Sequence, residues 1–505
     1  MERQNTLLTS DQYIDQRAIL TAEIRLLLTD LGKGKIDGVA YDTAWVARLA
    51  PHYPGFGFEA SLEWLRRNQY DDGTWGGPLV QYHDRFISTL AAVVALREVG
   101  GDSRDERRVK RGEDALWRLV GRLGRDDSDT IGFPILAASL GQEARSLGLD
   151  VPQPPVRFAA AYRMKVQALL NQPERNWVHN TLTYSLEGLR SAVTETDRVL
   201  EANASAASSP AATAAYLLMQ RRDDALAYLQ SIMEPDGSGA VPTFSPIDIF
   251  DVIWPLNHLH LAGAIEADDP DARLALERTW RFWSPETGIG TSTFFSVPDM
   301  DDTAACFAAL KRAGFPVSAD VFRYYELDDH FCCYHGETNP ALSAHVRLLA
   351  ALRLCEDHPY YQRWIDKVVN VLRHFDENGS FWWDKWHSSP YYVNGAAIQA
   401  LHGVADDLMG SRFRWILRTQ NDDGGWGYLG ESTPEETAYC LEALLYWDRH
   451  VARVEPSVLD AAARYLAQHL NDRYYVPLWI GKCLYTPRNP VRAAILSALF
   501  SYSQS

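Results

Sequence analysis

Three carboxylates, Asp299, Asp301 and Asp302, crowd four positions of the run Val297-Pro-Asp-Met-Asp-Asp-Thr-Ala304. Groups this close cannot all ionise cheaply. Their repulsion raises at least one pKa, and burial against apolar walls adds to the shift. A carboxylic acid kept neutral near pH 7 is a proton donor, and neighbouring donors strengthen it by stabilising its conjugate base. Two other readings compete. The run precedes an Ala-rich segment, so its acids suit a helix N-cap and the helix dipole. Clustered aspartates also bind Mg²⁺ through oxygen.

The elements that must hold these groups read as helices almost throughout. Ile19, Ile24, Leu27, Leu28 and Leu31 follow helical spacing, stopped by Gly32 and Gly34. Residues 86–98, 303–313, 341–354, 391–404 and 436–447 are further apolar helices between Gly-, Pro- or Asp-rich breaks. Period-two strands are scarce. A degenerate repeat organises the helices into hairpins: Gln69-Tyr-Asp-Asp-Gly-Thr-Trp-Gly76 recurs as Gln420-Asn-Asp-Asp-Gly-Gly-Trp-Gly427, with weaker copies at Asp376–Trp382 and Glu234–Gly239. In such a unit Gln bonds free backbone groups near a helix end, Gly permits a left-handed bend, and Trp covers the joint. Two strong copies this far apart suit an all-α chain of two helical barrels.

Composition narrows the function. The formal charge of −17 argues against a nucleic-acid partner. No signal-peptide core opens the sequence, and no apolar run is long enough to span a bilayer. The six cysteines lie after residue 300 without a CxxC pair, which points to reduced thiols and a cytoplasmic protein. Sixteen Trp residues are in excess; their ring faces could stack on sugars, pack large helices or stabilise cations.

Asp299-Met-Asp301-Asp302-Thr303-Ala304 resembles the D-x-D-D-T-A motif of class II diterpene cyclases and of squalene–hopene cyclases, and the Gln/Trp repeats resemble those of the same superfamily. Other elements follow in family order: Tyr41-Asp-Thr-Ala-Trp45, Ile131-Gly-Phe133, Glu143–Asp150, Ser185-Leu-Glu-Gly188, Pro246–Trp254, Asp384-Lys-Trp386 and Trp479–Tyr485. The resemblance implies the βγ architecture, two α/α barrels with the active site between them. The β domain would comprise residues 1–38 and 272–505, and an inserted γ domain residues 39–271. The D-D-x-x-D signature of terpene synthases that ionise their diphosphate is absent, so the reaction should start with a proton.

By the same resemblance Asp301 is the general acid, tuned by Asp299 and Asp302, with His345 as its hydrogen-bond partner. Lys482 and Lys385 would bind the diphosphate. Asp126, Asp127 and Asp129 would hold Mg²⁺ on it, although Pro134 stands where the family has Glu. The implied substrate is geranylgeranyl diphosphate, closed to a decalin with the diphosphate retained for a downstream class I synthase or phosphatase. Plant enzymes making ent-copalyl diphosphate hold a deprotonating water with a His and an Asn where this chain has Tyr184 and Thr243. Their loss favours a rearranged kolavenyl or halimadienyl diphosphate over a copalyl isomer. A squalene–hopene-type triterpene cyclase is the nearest rival. Protein prenyltransferase subunits, glycoside-processing barrels and a helical binding scaffold fit fewer of the motifs.

Overall fold

The computed structural model describes residues 10–505, with side chains from Arg17, except 127, 156–157, 159–162, 165, 168–176, 179, 190–197, 296, 338 and 377–378. Helix accounts for 56% of it and strand for 3%, which makes the chain all-α. Six helices close one ring: Phe250–Leu261, Met300–Arg312, Leu342–Leu352, Pro390–Leu401, Pro434–His450 and Arg488–Tyr502, each packed on the next and the last on the first. These are apolar nearly all round and buried, as inner helices must be. Amphipathic helices, among them Tyr361–His374, Asp406–Arg418 and Pro456–His469, cover the ring with one apolar face each.

The inner helices run in one sense. Their first turns meet at one end, where Asn489 donates to Asp251 (3.1 Å) and Trp254 to the Tyr392 hydroxyl (3.3 Å). At the other end Arg312 reaches Asn257 (2.9 Å), and Arg353 caps the carbonyls of Ala400 and His402. Converging N-termini favour negative charge. The first turns accordingly carry Asp251, Asp301, Asp302, Glu435 and Glu436.

A second ring joins Ala40–Ala47, Tyr82–Val99, Phe133–Ser146, the 3₁₀ segment Thr181–Gly188 and Pro210–Met219. The two hydrophobic cores draw on different stretches of the chain. Residues 247–265 pack in the first core, with residues 20–36 and the C-terminal half, and the second core runs from Val39 to Val241. The first eight residues of the Phe250–Leu261 helix are buried all round, so its sequence does not say which barrel it completes; long-range contacts to Tyr392 and Trp479 do. A short antiparallel hairpin, β1 (Trp479–Ile480) and β2 (Leu484–Tyr485), ties the domains together. Its Leu484 N–H donates to Asp84 (3.0 Å), and Gly481 accepts from Ile131 N–H (2.8 Å).

The two strong repeats are superimposable in chemistry. Gln69 donates to the carbonyls of Gly73 and Arg108 at 3.0 and 2.9 Å, and Gln420 to those of Gly424 and Val458 at 2.8 and 3.0 Å. Gly73 and Gly424 adopt φ of 87° and 90°. A Cβ there would lie 2.5 Å and 2.7 Å from a carbonyl oxygen of the next helix, so only glycine fits. Trp75 and Trp426 are fully buried, their indole N–H groups on Leu65 and Ile416. Trp426→Ala should therefore cost about 3–5 kcal/mol, as large aromatic deletions in cores do, read as a loss of unfolding free energy in urea.

Candidate active site

Asp299 is the N-cap of the Met300–Arg312 helix: its backbone is extended, and Oδ1 accepts from the Asp302 N–H at 2.8 Å. Thr303 pins the same turn, accepting from Ile289 N–H (3.0 Å) and sharing a hydrogen bond with the Tyr325 hydroxyl (3.0 Å). The capping and acid readings of this motif are thus compatible, because the three carboxylates do different things. Burial, then the charge of Asp302, pushes the Asp299 carboxyl well above its ordinary range. Asp302 is raised by burial but accepts from Asp299 and from Thr291 Oγ1 (2.7 Å). Asp299 Oδ2 and Asp302 Oδ1 are buried without another partner, so one proton on Asp299, donated to Asp302, satisfies both.

Asp301 faces elsewhere. Its side chain is 11% exposed, and Oδ1 accepts from Arg347 Nε at 2.8 Å. Burial lifts its carboxyl to about 6 against the pull of that guanidinium, helped by the charges of Asp302 and Asp384. Asp384 is itself fixed by the N–H groups of Ser343 and Trp386. His345 does not make the contact the sequence assigned to it. Its Nδ1 meets the Ala341 carbonyl (2.6 Å) and its Nε2 accepts from Phe331 N–H (3.2 Å), while burial lowers its pKa to about 4 and keeps it neutral. Two residues along a helix is a rotation of about 200°, so Arg347 points at the acid when His345 points away.

Aromatic rings surround this end of the ring. Phe250 stacks on Trp254 (4.2 Å), Trp479 lies edge-on to both Phe250 and Tyr392 (5.2 and 5.0 Å), and the half-buried Tyr334 and Trp386 meet at 6.1 Å. From the second domain, Tyr184 and Phe244 adjoin Phe295, on the loop that leads to Asp299. Tyr184 and Thr243, distant in sequence, are in contact: the phenol oxygen lies 3.3 Å from Thr243 Oγ1. A cavity of about 400 Å³ adjoins this end of the ring. It lies inside the first ring behind Arg347 and Tyr392, lined by small residues such as Ala305, Ala308 and Ala443.

Over 491 residues the chain is 34% identical to a type B diterpene cyclase of Mycobacterium tuberculosis, covering 93% of this chain and 96% of that one. The chain belongs to the class II diterpene cyclase family. It is also 32% identical to an ent-copalyl diphosphate synthase of a Streptomyces species, strain KO-3988, over 91% of each protein. The ent-copalyl diphosphate synthase of Streptomyces platensis superimposes with a TM-score of 0.82 at 26% identity, covering 96% of this chain and all of that one. Residues 335–443 match the squalene–hopene cyclase C-terminal domain. None of the described helices is long and apolar enough to cross a membrane.

The other described residues singled out from the sequence have partners of their own in this cyclase. Lys482 is fully buried, its Nζ 2.7 Å from Glu187 and 2.5 Å from Ser209 Oγ, and 4.5 Å above the Tyr184 ring, so it is committed to an internal ion pair. Asp42 joins this group; burial raises it to about 7 despite Lys482. Lys385 is partly exposed, paired with Glu337 and bonded to the Asn339 carbonyl (2.7 Å). Asp126 and Asp129 close on opposite nitrogens of the buried His83, at 2.8 and 2.9 Å. Burial alone would lower that imidazole, but the two carboxylates outweigh it and raise it. Asp127 lies outside the described residues. No three Asp, Glu, His or Cys side chains among the described residues converge as metal ligands, so the Asp126 and Asp129 carboxylates do not fit a Mg²⁺ site as they stand.

Arg347 was not found from the sequence, and Asp384 and Tyr392 were given no role in the site there. The signal for Arg347 was present: it is the one permanently charged residue in the apolar helix Leu342–Leu352, and such a charge needs a buried partner.

Proposed function

We propose that this cyclase protonates geranylgeranyl diphosphate with Asp301 and closes it to a decalin, leaving the diphosphate attached. The observation that carries this reading is a buried carboxyl with a pKa lifted to about 6, set among aromatic rings at the barrel end that faces the second domain. Protonation of the terminal alkene gives a tertiary cation, and two ring closures follow. Ring faces stabilise the charge without attacking it, and exclusion of water prevents early quenching. Mg²⁺ enters only as a counter-ion of the diphosphate, and no step depends on it. The retained diphosphate must then be consumed by a class I synthase or a phosphatase. The six free cysteines are buried and suit a cytoplasmic setting.

For the product, we propose a rearranged kolavenyl or halimadienyl diphosphate. Tyr184 turns its hydroxyl onto Thr243, and Lys482 covers its ring. A pair bonded to each other is a poor holder for a deprotonating water, so the decalin cation has time for hydride and methyl shifts. Incubation with geranylgeranyl diphosphate and Mg²⁺, followed by dephosphorylation, mass spectrometry and NMR, should give a rearranged bicyclic alcohol. Unrearranged copalol would overturn the product assignment, and conversion of squalene instead would overturn the substrate. Tyr184→His combined with Thr243→Asn should move a majority of the product to the unrearranged copalyl skeleton, measured on the same chromatogram.

A further inference from the structure

A proton donor beside a guanidinium is an unusual pairing, since a permanent cation favours the ionised carboxylate. The contacts around Arg347 explain how it can serve protonation. Nε donates to Asp301 Oδ1 at 2.8 Å, Nη2 donates to the Tyr392 hydroxyl at 2.5 Å, and Cζ sits 4.2 Å from the Trp254 ring centroid. Trp254 in turn donates to Tyr392 (3.3 Å). Three anchors on a planar group leave it little freedom. Its side chain is 18% exposed, so the interaction is barely screened by water.

We propose that Arg347 is the positioning residue of the acid: it fixes which oxygen of Asp301 carries the hydrogen, and it stabilises the carboxylate left after transfer. This rests on Asp301 being the proton donor. With Oδ1 occupied by an N–H, the neutral acid carries its hydrogen on Oδ2, which no donor among the described residues reaches. In the transfer the alkene π pair forms the new C–H bond as the Oδ2–H bond breaks. The bonding pair stays on the carboxylate, and the positive charge passes to the substrate. The new carboxylate then faces a guanidinium already in place, so no reorganisation is needed at that moment. Asp301 regains its proton from solvent after the ring cation has lost one.

Arginine does not titrate in the working range, so it neither supplies the proton nor adds an ionisation of its own. The groups facing Asp301 are Asp299 and Asp302 from its own helix start, Asp384 from the loop before Pro390, Tyr392 from the inner helix Pro390–Leu401 and Cys333 from the loop before the Leu342–Leu352 helix. Burial holds the Tyr392 phenol and the Cys333 thiol far above neutrality. The falling limb of activity with rising pH therefore belongs to Asp301 and its carboxylate neighbours.

The test is kcat and KM for geranylgeranyl diphosphate from pH 5 to pH 9 in wild type, Arg347→Gln, Arg347→Lys, Tyr392→Phe and Asp301→Asn, with thermal unfolding alongside. Arg347→Gln should lower the plateau kcat by about 100-fold and change KM by less than about threefold, because a weaker acid transfers its proton more slowly. It should also move the falling limb to higher pH by more than about one unit, which a purely structural role would not do. Arg347→Lys keeps the cation without the planar fork; it should recover about tenfold and leave the limb where wild type has it. Tyr392→Phe should lose about three- to tenfold. A wild-type plateau and limb in Arg347→Gln, with Asp301→Asn inactive, overturns the role of Arg347 alone. If Arg347→Gln does not fold, wild-type kcat in both Arg347→Lys and Tyr392→Phe overturns it equally. Turnover by Asp301→Asn overturns the acid itself.

Discussion

Asp301→Asn should stop turnover, with kcat falling on the order of 10³–10⁴-fold, the upper range for loss of a positioned general acid. The substitution is nearly isosteric. The asparagine carbonyl oxygen can still accept from Arg347 Nε, and the helix cap is made by Asp299 and is untouched. The variant should therefore unfold at a temperature close to wild type. An amide, however, has no hydrogen acidic enough to give to an alkene, and its neighbours do not replace the donor: Arg347 is held cationic, burial pushes the Tyr392 phenol far above neutrality, and the Asp299 proton is turned to Asp302. Asp299→Asn is the informative control. Asp299 is the neutral member of its pair, so asparagine preserves both its cap and its donation to Asp302, and the loss should be smaller than for Asp301 by about tenfold or more. In the wild type, turnover should rise as pH falls from 8 towards 6, since burial lifts the Asp301 carboxyl to about 6 and only the protonated form is active. Near-normal cyclisation by Asp301→Asn, measured by mass spectrometry of the dephosphorylated product, would remove the mechanism.

What could be read in advance was local. The glycine and tryptophan spacing of Gln69–Gly76 and Gln420–Gly427 encodes a joint whose hydrogen bonds stay within a helix end and its neighbour, and the joints formed as the spacing requires. The Asp299–Asp302 cluster was legible for the same reason, because its geometry is set by one helix start. Partners from elsewhere in the chain were not. Whether His345 or Arg347 meets Asp301 depends on how the Leu342–Leu352 helix is rotated, and packing of the whole ring decides that. The Asp126–Asp129 run has the composition of a metal site, but the buried His83, forty-three residues before Asp126, takes both described carboxylates. The Phe250–Leu261 helix, buried all round over its first eight residues, carries no mark in its sequence of the core it joins.

Lys482 shows how the same sequence signal can mean opposite things, and its replacement should have a large effect on stability. A lysine in the apolar hairpin Trp479–Tyr485 reads as a diphosphate ligand if it faces a crevice, and as half of an ion pair if it does not. Both its side chain and that of Glu187 have zero exposure, and the Tyr41 hydroxyl adds a second contact to the same Glu187 oxygen at 3.0 Å. Removing one partner of such a pair leaves a buried, uncompensated charge, which costs about 3–5 kcal/mol. Lys482→Met should therefore lower the unfolding free energy in urea by that amount at pH 8. The deficit should shrink towards pH 5. The folded pKa of Asp42, about 7, exceeds its ordinary value of 3.8, so this carboxyl favours folding while protonated at low pH and opposes it increasingly as pH rises. Without the ammonium its folded pKa climbs further, and the slope extends to higher pH. Adding Glu187→Gln to Lys482→Met should recover most of the loss, since it deletes the stranded charge. A diphosphate ligand would behave in the reverse way: KM for geranylgeranyl diphosphate would rise steeply in Lys482→Met while the urea midpoint stayed at its wild-type value.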